Sequence, residues 1–214
     1  MKQYLVVAGN IGAGKSTLVE LLARELGFHP YYEPVTENPY LELFYSDMER
    51  WAFHSQVFFL THRTRSHNAL RTDPRSVVQD RSIYEDARVF ARNLARGGSL
   101  SDREWNLYSD LYETVIELLP KPDLVVYIRA SVATLRRRIA KRGREFEASI
   151  EDRYLEQLND LYDEWIDEFD LAPVLTINGD DLDFVSNEAA LSLVLAQIRD
   201  ALKGPQELLF PEDG

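Results

Sequence analysis

The 214-residue chain contains no cysteine, which excludes disulfides, thiolate metal sites and cysteine nucleophiles. The same absence suits a reducing, cytoplasmic setting. No apolar run approaches the roughly 20 residues that span a bilayer. Met1-Lys2-Gln3 leads straight into the first expected strand, so neither membrane association nor a signal peptide is expected. Positive charge is in deficit: 24 Lys and Arg against 36 Asp and Glu give a net charge of −12. A surface of that sign opposes broad contact with nucleic acid, whose non-specific affinity comes from lysine and arginine at phosphates. A small nucleotide held by a few local cations stays open. Internal repeats and low-complexity linkers are also lacking, and the length fits one domain. With 45% apolar and 28% charged residues, the composition is that of a folded, soluble chain.

What is present begins with Gly9-Asn10-Ile11-Gly12-Ala13-Gly14-Lys15-Ser16, which satisfies G-x-x-x-x-G-K-[ST] at every fixed position. A chance match in a chain of this length is on the order of 1 in 100 or rarer. The apolar run Tyr4–Ala8 before it predicts a buried strand. Leu18, Leu21, Leu22 and Leu26 after it stand at helical spacing, closed by Gly27. Glycines let backbone N–H groups turn inward toward phosphate oxygens. The helix N-terminus adds partial positive charge, Lys15 can reach the β- and γ-phosphates, and Ser16 can hold Mg²⁺.

Further strands are predicted at Phe28–Tyr32, Ser76–Gln79, Leu124–Ile128 and Val174–Ile177, with helical patterns between them. That alternation predicts an α/β fold, a parallel sheet with helices on both faces. Ser101 and Glu104 form a capping box opening a helix to about Leu118, ended by Pro120. Leu191, Val194, Leu195, Ile198 and Leu202 line one face of a last helix that Gly204 should terminate. The acidic residues 205–214 read as a loose tail.

Four other clusters stand near expected strand ends, the edge where open parallel sheets bind ligands. Glu33, in Tyr32-Glu33-Pro34-Val35, is either an ordinary loop carboxylate or a general base for a hydroxyl that attacks the γ-phosphate. Asp80 and Arg81 close a buried strand; they form a local ion pair, or Asp80 holds Mg²⁺ while Arg81 neutralises phosphate charge. Six of the 24 basic residues fall within Arg136–Glu147. Arg138 and Arg142 share a helix face, and Gly143 offers a hinge before Arg144. Beside a nucleotide site, this window reads as a closing lid more than as a solvated basic face. Last, an aromatic-rich stretch runs from Tyr45 through Phe53 and Gln56 to Phe58, Phe59 and Arg63. Gln56 and Arg63, seven apart, face the same way on a helix, and an amide among aromatics can pair with adenine N6 and N7.

Together these motifs resemble the deoxyribonucleoside kinase family, most nearly its bacterial deoxyadenosine and deoxyguanosine kinases. Gly9–Ser16, Glu33-Pro34-Val35, Tyr45 through Gln56, Asp80-Arg81-Ser82-Ile83-Tyr84-Glu85-Asp86 and Lys141-Arg142-Gly143-Arg144 occur in the family's order and approximate spacing. The resemblance implies a P-loop kinase fold with a five-stranded parallel sheet and a basic lid over about 138–148. It implies ATP as phosphate donor, Mg²⁺, a small-molecule deoxynucleoside as acceptor, and a homodimer. Glu33 would be the base for the nucleoside 5′-hydroxyl, with Arg81 beside it. Gln56 would pair with the base between Phe53 and Phe90; Arg63 and Asp86 would frame its far side. Tyr45 and Glu147 would bind the sugar 3′-hydroxyl, and Arg138, Arg142 and Arg144 would form the lid. Asp80 stands where many relatives carry Glu, and Phe146 replaces an acid common in the lid of the animal enzymes.

Two other functions compete: a nucleoside monophosphate kinase, and a nucleotide-binding switch without transfer chemistry. An anion at Glu33 repels a phosphate-bearing acceptor but can deprotonate a hydroxyl, which favours a nucleoside. A switch would need Lys15 but neither Glu33 nor paired lid arginines. Among nucleosides, the polar set Gln56, Arg63 and Asp86, in a pocket otherwise lined by Phe53, Phe59 and Phe90, favours a base with an exocyclic amino group. Deoxyadenosine is expected first, with deoxyguanosine as the alternative and deoxycytidine as a further acceptor.

Overall fold

All five apolar runs form strands in the computed structural model, which describes residues 2–32, 37–181, 184 and 187–203. The strands are β1 (Tyr4–Gly9), β2 (His29–Tyr31), β3 (Val77–Asp80), β4 (Leu124–Arg129) and β5 (Val174–Asn178). Every pairing is parallel and the order is β2-β3-β1-β4-β5. Central β1 pairs Val6 with Gln79 on one side and with Val125 on the other. Alternation along the strands sends Val6, Val77, Val125 and Tyr127 into one core and Leu5, Val7, Val78, Val126 and Ile128 into the other. Both faces are therefore covered, which is why β1 is buried along its whole length and reads as an unbroken apolar run.

Helices α1 (Lys15–Leu26), α2 (Leu41–Ser46) and α3 (Met48–Thr72) precede β3. After it, α4 (Ile83–Glu85) passes through a π-helical turn (Asp86–Ala91) into α5 (Arg92–Arg96), followed by α6 (Asp102–Ile116). Helix α7 (Val132–Arg142) follows β4, a 3₁₀ turn covers Glu145–Glu147, and α8 (Asp152–Glu168) and α9 (Glu188–Leu202) flank β5. The Ser101–Glu104 capping box forms as expected. Helix α6 stops at Ile116 rather than Leu118 because its exit tightens. Leu118 and Leu119 donate to Val115 and Ile116, three residues back, ahead of Pro120, which has no N–H to offer. On α9, Val194, Leu195 and Ile198 are buried as the spacing requires. Gly204 and the tail 205–214 lie outside the described residues. No helix among the described residues is long and apolar enough to cross a membrane.

Candidate functional site

The phosphate loop leaves the C-terminal end of β1 and delivers the chain to α1 at Lys15. Two of its glycines are required by space. A Cβ on Gly9 would lie 2.8 Å from the Ile128 carbonyl oxygen, and one on Gly12 would lie 2.9 Å from that of Leu135. Both also have positive φ, 146° and 82°. Asn10 braces the loop: its side chain accepts from Ile11 N at 2.7 Å and donates to the Leu155 carbonyl and to Asn159. Ala13 N and the Lys15 ammonium both donate to the Asn10 carbonyl, at 3.1 and 3.0 Å. Lys15 thus arches back over the loop it belongs to, while Gly14, at φ 102°, caps α1.

Strand β3 lies beside β1, so its last residue reaches the start of α1. Asp80 accepts from the Ser16 hydroxyl at 2.5 Å through Oδ2. Its Oδ1 is buried with no hydrogen-bond partner among the described residues. A hydroxyl and a carboxylate in contact, one oxygen uncommitted, suit a hard divalent cation that takes its remaining ligands from phosphate and water. Arg81 follows at φ 64°, the one non-glycine residue with positive φ among those described. Its backbone N–H donates to Val7 O, and its guanidinium carbon lies 4.2 Å from the Phe90 ring centre.

Above this edge lies a cavity of about 290 Å³, close to the small end of ordinary ligand pockets. Ile11, Gly12, Lys15 and Ser16 form its floor, and Asp80 and Arg81 one side. Tyr45, Gln56, Asp86, Phe90, Arg142, Arg144 and Glu147 complete its wall. Residues of four of the five sequence motifs are therefore brought together. The π-helical turn carries Asp86 and Phe90; such turns widen a helix locally and recur at functional positions. Arg63 stands behind the wall, fully buried, donating to Asp86 at 2.9 Å and to the Asp80 carbonyl at 3.0 Å. Gln56 Oε1 is buried and accepts no hydrogen bond among the described residues. That is a cost of about 1–3 kcal/mol unless a ligand supplies the donor.

At the lid, α7 ends where Gly143 turns left-handed at φ 69°. Glu147, buried, holds Arg142 at 2.6 Å and Arg144 at 3.3 Å. Tyr45 stacks on Phe146 with ring centres 5.8 Å apart, so the segment after Gly143 makes an aromatic contact with α2. Arg138 is placed differently from Arg142 and Arg144. It lies within α7 and donates to the Ala13 and Gly179 carbonyls, both at 2.7 Å, tying the helix to the phosphate loop. Phe53 does not line the cavity but packs on the core; Phe59 and Phe90 do line it, and Phe44 supplies further aromatic wall. Glu33, with Pro34 and Val35, lies outside the described residues; Tyr32, the residue before it, lines the cavity.

Four participants escaped the motif reading. Phe44, Ser55 and Tyr154 line the cavity, and Tyr162 reaches the phosphate loop from α8. Burial pushes the Tyr154 and Tyr162 phenols up, so both hydroxyls carry their protons. On sequence both read as core aromatics of an amphipathic helix; nothing in the spacing separates them from Leu158 or Trp165.

The family model described as deoxynucleoside kinase matches residues 5–203. A deoxyadenosine kinase of Lactobacillus acidophilus is 41% identical over 95% of this chain and 98% of its own. A deoxyguanosine kinase of the same organism is 44% identical over 93% and 90%. Among solved structures, deoxyadenosine kinase from M. mycoides with bound dCTP superposes with a TM-score of 0.80 at 30% identity, covering 92% of this chain and 99% of that one.

Proposed function

The chain belongs to the deoxynucleoside kinase family, and from that premise we propose that it transfers the γ-phosphoryl of ATP to the 5′-hydroxyl of deoxyadenosine. The observation that carries this reading is the single cavity joining Lys15 and Ser16 to Gln56, Asp86 and the Arg142–Arg144–Glu147 group. Lys15 and Arg81 act on the phosphoryl charge, and the Ser16 hydroxyl and Asp80 carboxylate would hold Mg²⁺, which when bound offsets the charge of the nucleotide phosphates. Glu33 takes the 5′-hydroxyl proton. Gln56 and Asp86 read the base, and Tyr45 and Glu147 the sugar 3′-hydroxyl.

Base choice follows from the polar atoms. The unmatched Gln56 Oε1 and the Asp86 carboxylate, held by Arg63, both accept; an exocyclic amino group can donate to either. At the position of that amino group thymine carries a carbonyl, which cannot donate, beside a methyl that needs apolar room, so an acceptor placed for the amino group stays unpaired at about 1–3 kcal/mol. Initial rates with the four natural deoxynucleosides and ATP should place deoxyadenosine first and thymidine roughly 10- to 100-fold lower in kcat/KM. Equal use of thymidine would overturn the base-reading roles, whereas a clear deoxyguanosine preference would overturn only the choice between the two purine branches.

The same reading makes the enzyme a cytoplasmic homodimer. Leu107 and Leu111, one turn apart on α6, are 51% and 40% exposed, an apolar stripe that a second copy would cover. Light scattering should give twice the chain mass of 24.7 kDa, and Leu111→Glu should shift it toward one. A wild-type monomer at micromolar concentration would exclude the dimer, and recovery of the activity with membranes would exclude the location.

A further inference from the structure

Tyr162 and Glu85 are both fully buried, and neither has a part in the transfer roles assigned above. Between them they take both polar groups of the first loop glycine. The Gly9 N–H donates to Glu85 Oε2 at 3.3 Å, and the Gly9 carbonyl accepts from the Tyr162 hydroxyl at 2.7 Å. Arg81 donates to the same hydroxyl at 2.9 Å. Tyr162 also lies 2.8 Å from Glu85 Oε2, and Glu85 Oε1 accepts from Ser82 N at 2.9 Å. The contacts join β1, the end of β3, α4 and α8, which are far apart in the chain.

We propose that Tyr162 and Glu85 are positioning residues that hold the Arg81 guanidinium in register with the phosphate loop; this rests on the assignment of Arg81 to the transferring phosphoryl. The tyrosine hydroxyl has one proton and two acceptors in reach, Gly9 O and Glu85, while it accepts from Arg81. Movement of any one partner is thus felt by the others. Packing alone would need only the ring, and capping of α4 at Ser82 would need only one Glu85 oxygen. Instead the second oxygen and the hydroxyl turn to the loop and to Arg81. Arg81 itself sits in the left-handed region, a conformation that persists only where the surroundings hold it. Burial pushes the Glu85 carboxyl up, and the nearby Arg81 and Lys15 charges offset only part of that rise.

Tyr162→Phe keeps the ring and removes the hydroxyl. It should lower kcat by about 10- to 100-fold, the scale of a misplaced catalytic group, with the nucleoside KM within about twofold. In an Arg81→Ala background the same change should have no further effect on kcat, because Tyr162 acts through Arg81. Glu85→Gln, similar in volume but uncharged, is the second probe and should show the same loss and the same dependence on Arg81. Unchanged kcat in these variants, or losses that multiply fully with that of Arg81→Ala, would overturn the proposal. Full activity of Arg81→Ala alone would overturn the assignment of Arg81, and this proposal with it.

Discussion

Glu33→Gln is expected to lower kcat by roughly 10²–10⁴ while deoxynucleoside binding, read by equilibrium titration, changes little. The amide keeps the shape of the side chain and loses the capacity to accept a proton. The effect therefore falls on the step in which the 5′-hydroxyl gives its proton up, not on affinity. Its neighbour in the chain motivates the role: strand β2 ends at Tyr31, and Tyr32 lines the cavity. Lys15 and Arg81, the cations proposed to meet the phosphoryl, line the same cavity. A base carrying negative charge would repel a phosphate-bearing acceptor, which favours a nucleoside over its monophosphate. A Glu33→Gln enzyme with near-normal kcat would end the assignment, and the proton would have to leave by another route.

Arg142→Ala and Arg144→Ala should each slow phosphoryl transfer by about 10³-fold, close to 4 kcal/mol of transition-state stabilisation. Guanidiniums facing the developing charge in a site closed to water count for far more than the same groups on the surface. Both arginines line the cavity and both are paired with Glu147. The residue proposed to bind the sugar hydroxyl is thus also the counter-ion of the lid. Rapid-quench measurement of a single turnover isolates the chemical step from product release. Variants that keep the full rate in that measurement would return this basic segment to an ordinary solvated surface. Arg138→Ala should behave differently, loosening α7 from the phosphate loop through its Ala13 and Gly179 contacts.

How much of this was legible in advance depends on whether neighbours in the chain are enough to specify it. The phosphate loop was, since its glycines, lysine and serine fall within eight consecutive residues and its backbone path is dictated locally by residues that tolerate positive φ. The five strands were legible because a parallel sheet covered on both faces demands short apolar runs, and the boundaries moved by only a residue or so. Membership of Gln56 and Arg63 on one helix face followed from their spacing. Phe53 and Phe59, however, stand three residues to either side of Gln56, about 60° from its direction each way. Helical spacing treats them alike and both pack on the core, but only the elements packed around α3 bring Phe59 to the cavity as well.

By itself the chain determined the fold class, the phosphate-loop motif at the end of the first strand and the residue types proposed to meet a deoxynucleoside. Tertiary structure alone decided the strand order, and with it the meeting of Ser16 with Asp80, since β3 and not β2 is the neighbour of β1. It alone decided that Arg63 would brace Asp86, that Glu147 would gather the lid arginines, and that Tyr162 would reach back to Gly9 across 153 residues. The physical reason is one of range. Backbone conformation and amphipathic pattern are set by sterics and burial over a few residues, whereas a buried hydrogen bond between distant side chains exists only once two cores have closed on the sheet and excluded the water that would otherwise satisfy both partners.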